Sequence, residues 1–137
     1  MVKVFVNGTF DLLHTGHLDL LNYAKSLGDV LVVGIDADER VKEKKGFDRP
    51  INNQVTRKTL LSNLKAVDDV EIFHTDDDLV RLISKHSPNI MIVGSDWKDK
   101  TVIGSEHAEK LIFFDRVNDE STTNTLENFL KRREQND

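Results

Sequence analysis

The chain has 137 residues, no cysteine and a formal net charge of −5. That suits a single domain with its own core and excludes disulfide frameworks, zinc–thiolate sites and general nucleic-acid binding. No apolar run approaches the roughly 20 residues of a membrane helix, and the opening MVKVFVNGTF is too short and strand-like for a signal peptide, so the expectation is a cytoplasmic protein that uses neither membrane nor nucleic acid.

Val2–Asn7 is a short β-branched and aromatic run stopped by Gly8, the pattern of a first strand. A helix follows, with Leu18, Leu21, Tyr23, Ala24 and Leu27 mostly on one side and Gly28 as its C-terminal cap. Asp29–Asp36 is a continuous apolar run, as expected of a strand buried on both faces. A basic loop comes next. From Arg40 to Lys58 the segment carries +5 on an otherwise acidic chain, which fits either a small-polyanion site or a solvated surface loop. A helix is predicted from about Asn53 to Ala66, a third strand over Asp69–Phe73, and a helix over Asp76–Ser87 with acids in its first turn, where the helix dipole favours them. Asn89–Ser95 and Lys110–Asp115 supply two more strands. A last helix starts near Ser121 and runs into a charged tail from about residue 131.

Strands alternating with helices imply an α/β fold, a doubly wound five-stranded parallel sheet in a single domain over 1–137. Such sheets bind ligands beyond the carboxyl ends of their strands, at the switch point. The segments after the strands hold most of the His, Arg, Gly and hydroxyl residues.

The first of these segments is the most telling. It reads G-T-F-D-L-L-H-T-G-H, from Gly8 to His17. It matches neither the dinucleotide fingerprint nor the P-loop. It places Gly16 and two imidazoles at a helix start, where free backbone N–H groups and the dipole favour an anion. His14 and His17 add side-chain donors, which phosphoryl or nucleotidyl transfer needs because negative charge gathers on nonbridging oxygens in the transition state. Zinc binding is the rival reading of a histidine pair, but no third ligand stands at helical spacing, and no metal site is expected. Arg116 could clamp phosphate with its planar fork or pair with Asp115 or Asp119. Asp96 and Trp97 follow the fourth strand, where a nucleobase or ribose would lie. His74, His86 and His107 show no partner pattern.

The string Gly8–His17, together with Glu120–Asn124 (E-S-T-T-N) about 100 residues later, resembles the cytidylyltransferase-like nucleotidyltransferases, with their H-x-G-H signature and late S-T-T motif. The resemblance implies a Rossmann-like fold and in-line attack of an acceptor oxygen on the α-phosphorus of a nucleoside triphosphate. Pyrophosphate leaves, and Mg²⁺ accompanies the triphosphate. By the same resemblance His14, His17 and Lys45 are catalytic. Gly8, Thr9, Phe10, Gly16, Asp96, Arg116, Ser121, Thr122 and Thr123 join the histidines in holding the nucleotide. Asp11, Asp36, Lys42, Lys45 and Arg57 fall on the acceptor side, with Lys44 competing for one lysine role. Glu120 departs from the pattern, since relatives often carry an apolar or small residue there. Relatives are often homodimers, and that expectation extends to this chain.

Two groups within the family compete. Arg49, Pro50, Ile51, Asn52 and the spaced Arg57, with V-I-G-S-E after the fourth strand, are similar to the heptose 1-phosphate adenylyltransferases, which make ADP-heptose. G-S-D-W-K-D-K and Arg116, five before Ser121, look more like glycerol-3-phosphate cytidylyltransferase. The first is favoured. A non-catalytic nucleotide-binding module is the alternative from another class.

Overall fold

The computed structural model describes residues 1–115. Five strands form one parallel sheet: β1 (Lys3–Gly8), β2 (Val30–Asp36), β3 (Asp69–Phe73), β4 (Ile90–Gly94) and β5 (Lys110–Phe114). Their order is β3-β2-β1-β4-β5. The chain builds outward from β1 through β2 to β3, then returns to place β4 on β1's other side. Val6 pairs with Val33 of β2 and with Ile92 of β4, so β1 and β4 meet at the switch point. The expected α/β parallel sheet is present, and its strand limits lie within a residue of those read from the sequence.

Four helices join the strands: α1 (Thr15–Ser26), α2 (Asp38–Lys45), α3 (Gln54–Ser62) and α4 (Asp76–His86). Alternation along the strands divides the core in two. Val4, Val6, Leu31, Val33 and Ile92 pack with Leu21 and Leu61 on one face. Phe5, Val32, Phe73, Met91 and Val93 pack with Leu79, Leu82 and Ile83 of α4 on the other. The i, i+3, i+4 spacing of the α4 residues puts all three on one stripe, and burying each is worth about 1.5–3 kcal/mol.

Four sequence expectations are corrected. The basic loop after β2 is helical in its first half. Asp38 and Glu39 lie in the first turn of α2 and Lys42, Lys44 and Lys45 in the last, so its charges complement the helix dipole although only Val41 is apolar. Gly28 does not cap α1 through a left-handed conformation. It lies where a Cβ would come within 2.8 Å of the Val2 carbonyl oxygen and Val4 Cγ2, so it is needed for close approach of helix and strand. Leu18 and Tyr23 of α1 are part-exposed, while Leu21 and Ala24 carry the burial. α3 is also shorter than expected, and Ala66 and Val67 enter the core beyond its end. The predicted last helix and the charged tail lie outside the described residues.

Candidate active site

The carboxyl ends of β1, β2 and β4 open into a cleft of about 420 Å³. Its floor is the turn after β1. A Cβ on Gly8 would lie 3.0 Å from Phe10 Cε2, so a glycine there lets the turn fold back on itself. Phe10 takes φ +53°, a left-handed conformation disfavoured by about 1–2 kcal/mol for a residue with a Cβ. Its ring is buried in the core beside His17, with centroids 5.2 Å apart, and that burial offsets the conformational cost.

His14 is the N-cap of α1. Its Nδ1 accepts from the Gly16 N–H at 3.1 Å, and His17 Nδ1 accepts from the His14 N–H at 3.2 Å. The two residues form a capping box made of imidazoles, with rings stacked at 3.9 Å between centroids. A neutral imidazole that accepts at Nδ1 carries its proton on Nε2. Both rings line the cleft, so the pair is set as Nε2–H donors. The helix start itself is largely committed: the Gly16 N–H goes to the His14 ring, and the His17 and Leu18 N–H groups go to the His14 carbonyl. The expected amide-lined anion nest is therefore replaced by side-chain donors.

α2 forms a cationic wall. Arg40, Lys44 and Lys45 line the cleft. Arg40 is buried and donates from Nε to Asp36 and from one Nη to Asp76, each at 2.7 Å. Its guanidinium lies over the Phe73 ring, 5.1 Å from the centroid. Burial pulls the Arg40 pKa down, but hydrogen bonds to Asp76 and Asp36 outweigh it and hold it above the ordinary arginine value. Opposite stands the end of β4, with Gly94, Asp96 and the half-exposed Trp97. Lys100 Nζ lies over the Trp97 ring at 5.4 Å.

The sequence-derived candidates separate into three groups. Gly8, Thr9, Phe10, His14, Gly16 and His17 meet Asp36, Lys45 and Asp96 around the cleft. Asp11, Lys42 and Arg57 do not line it. Asp11 is buried, and its carboxylate accepts the Ile51 and Asn52 N–H groups at 2.8 and 2.7 Å. Arg57 is fully buried and donates to the carbonyl oxygens of Asn52, Thr9 and Asp36 and to the Asp38 carboxylate. Lys42 pairs with Glu39 at 3.5 Å on the outer side of α2. Asp11 and Arg57 thus hold the turn after β1 to the 49–53 loop and α2. Arg116, Ser121, Thr122 and Thr123 lie outside the described residues.

Sequence reasoning gave Arg40 and Asn7 no role in the cleft. The i, i+4 spacing of Asp36, Arg40 and Lys44 would have aligned the last two on one face, had α2 been read as a helix.

The cytidylyltransferase-like family model matches residues 5–130. The chain belongs to this family. It is 47% identical over 126 residues to the bifunctional protein HldE of a Nitratiruptor species, covering 90% of this chain and 27% of that protein. It is 46% identical over 123 residues to HldE of Campylobacter fetus subsp. fetus, with the same coverage. The chain thus spans about a quarter of the length of these curated relatives. Among solved structures it resembles the lipopolysaccharide core biosynthesis protein of Thermoplasma volcanium, with TM-score 0.71, 28% identity, and 86% of this chain and 99% of that one covered.

The Mg²⁺ expected from the sequence resemblance can be set against the lining of the cleft. Among the described residues, side chains that could jointly ligate a metal gather at Asp69, Glu71 and His86, outside the cleft. Within the cleft Asp36 is engaged by Arg40, and Asp96 is exposed at the rim. This lining would suit a Mg²⁺ carried in on substrate phosphates, and Asp96 is the cleft carboxylate that would face it. Among the described residues no helix is long and apolar enough to cross a membrane.

Proposed function

We propose that this chain is a nucleotidyltransferase domain that transfers a nucleoside monophosphate to a phosphorylated sugar. The favoured pair is ATP and D-glycero-β-D-manno-heptose 1-phosphate, giving ADP-heptose and pyrophosphate. The observation that carries this reading is the stacked His14–His17 pair, fixed as Nε2–H donors at the switch point and faced by Lys44 and Lys45.

A phosphate oxygen of the acceptor attacks the α-phosphorus in line, and the bond from that phosphorus to the bridging oxygen of pyrophosphate breaks. Negative charge grows on the nonbridging oxygens as this happens. Two fixed donors aimed at those oxygens stabilise the transition state more than the ground state, by about 3 kcal/mol for a well-placed one. Lys44 and Lys45 hold the acceptor phosphate against the repulsion of the triphosphate. A Mg²⁺ carried on the triphosphate would supply the charge that offsets the departing pyrophosphate. Thr9, Phe10, Gly8 and Gly16 shape the nucleotide floor, Asp36 faces the acceptor, and Arg116, Ser121, Thr122 and Thr123 complete the triphosphate site. Asp11 and Arg57 serve the acceptor side indirectly, by fixing the loops around it.

The choice of acceptor is supported by the similarity to HldE proteins and by the Arg49–Asn52 stretch that Asp11 secures. CTP with glycerol 3-phosphate is the second reading, favoured by Trp97 of the G-S-D-W segment on the cleft wall. The reading extends to cytoplasmic substrates and, from the dimers common among family relatives, to a homodimer.

Pyrophosphate release from ATP or CTP, tested with heptose 1-phosphate and glycerol 3-phosphate, decides among these. Release with ATP and heptose 1-phosphate alone is the expected result. Release with CTP and glycerol 3-phosphate alone selects the second reading. Tight nucleotide binding without turnover on any acceptor would leave a binding module.

A further inference from the structure

The cleft has a second lobe that phosphate chemistry does not explain. Side chains alternate along a strand, so Asn7 follows Phe5, and Asp36 follows Val32, onto the α4 face of the sheet. There they meet Arg40, Leu79, Val93 and Val102 at the cleft wall. The histidine pair and Phe10 lie toward the α1 face. The cleft therefore straddles the strand ends, with a donor-rich lobe on one face and a mixed lobe on the other.

Three features define the mixed lobe. Asn7 Oδ1 is shut off from solvent and accepts no hydrogen bond among the described residues. Arg40 uses Nε and one Nη on Asp36 and Asp76, and its other Nη has no partner among the described residues. The cluster of one guanidinium and two carboxylates carries a net charge of −1, beside the apolar surface of Leu79, Val93 and Val102.

A phosphate cannot satisfy this lobe. It brings acceptors and negative charge, so it gives Asn7 Oδ1 nothing and is repelled by Asp36. A hydroxyl can donate to Asn7 Oδ1 and accept from the remaining Arg40 Nη. A site built to bond a hydroxyl also rejects analogues that lack it, because its buried polar groups are then left unpaired. The apolar flank suits the C–H face of a sugar ring. Trp97, just beyond the end of β4, offers a base an aromatic surface on the same cleft's wall. We propose that Asn7, Asp36 and Arg40 form a hydroxyl-reading subsite that selects acceptors whose phosphate is carried on a polyhydroxylated skeleton. The proposal rests on the nucleotidyl-transfer reading for its place in the reaction, but not for its binding chemistry.

The test uses the full chain, with Asn7→Leu and Arg40→Lys. Asn7→Leu removes the acceptor at similar volume, and Arg40→Lys keeps the charge but loses the fork. Each should raise KM for heptose 1-phosphate tenfold or more, with KM for ATP within twofold. Calorimetric binding of heptose 1-phosphate without nucleotide should weaken by a similar factor, and binding of glycerol 3-phosphate by less than twofold. Weakened sugar-phosphate binding in an enzyme that shows no turnover would uphold the subsite and sink the transfer reading alone. Unchanged sugar-phosphate binding, or a KM for ATP that rises in step, would overturn the subsite whatever the turnover.

Discussion

Asp11 and Asn52 bond to each other twice, although 41 residues separate them. The Asn52 N–H donates to Asp11 Oδ1 at 2.7 Å, and Asn52 Nδ2 donates to the Asp11 carbonyl at 2.9 Å. With Ile51 N–H on the other carboxylate oxygen, this pins the loop before α3 to the turn that carries the histidines. Asp11→Ala would leave two part-buried N–H groups without partners, at about 1–3 kcal/mol each. The expected outcome is a loss of about 2–4 kcal/mol in chemical denaturation, with kcat falling because the turn loosens. An unchanged stability with a raised acceptor KM would instead mean that Asp11 touches the acceptor directly.

His14 and His17 should share a catalytic effect and a capping effect. His17→Ala removes one Nε2–H donor and should lower kcat on the order of a hundredfold or more, and it leaves the His14 N–H without its ring partner, a stability loss of about 1 kcal/mol. His14→Ala removes a donor and also the N-cap of α1, a stability loss of about 1 kcal/mol. Single-turnover rates and thermal melts on the two variants test this pair of outcomes. An unchanged melt for either variant would argue against the imidazole capping box.

The histidine pair and the parallel sheet were legible because their signals are local. Val30–Ile35 is apolar throughout, and an H-x-G-H string at a strand–helix junction has few structural uses. α2 was hidden because D-E-R-V-K-E-K-K has almost no apolar periodicity, so its helix depends on dipole complementarity and on Arg40 finding Asp36 and Asp76. Asp11 and Arg57 were legible as important but not as structural. Their partners lie 21 to 48 residues away for the contacts that matter most, Arg57 to Thr9 and Asp36, and Asp11 to Ile51 and Asn52. Nothing local distinguishes a motif carboxylate that grips a loop from one that grips a substrate.

Arg57 gives a sharper test of that distinction. Its guanidinium has no solvent exposure and serves four acceptors on three segments. Removing one member of a buried charged network leaves the rest uncompensated, at about 3–5 kcal/mol. Arg57→Met should lose about that much stability. Arg57→Lys should recover little of it, because a single ammonium cannot span the planar fork's partners. Urea denaturation of both variants is the measurement. A lysine variant as stable as the parent would show that charge rather than fork geometry holds the turn.

A cluster on the α4 side of the sheet contributes to the pH dependence. Lys3 Nζ lies 3.3 Å from His86 Nδ1, the His86 Nε2 bonds Glu71, and Lys85 reaches Glu71 at 3.2 Å. Burial pushes the Glu71 carboxyl up, but hydrogen bonds from His86 and Lys85 and their charges more than offset it, and it lies below the ordinary glutamate value. A carboxyl lowered in the folded state stabilises the protein above the unfolded-state pKa of about 4.3. That contribution is lost as pH falls through the lowered folded value. Glu71→Gln should therefore cost about 0.5–1 kcal/mol at pH 7, a figure already discounted for solvent screening. The difference from the parent should shrink below pH 4 as the parent's carboxyl protonates. Unfolding free energies measured from pH 7 down to the acid transition test this, and a difference that stayed constant across that range would remove Glu71 from the acid response.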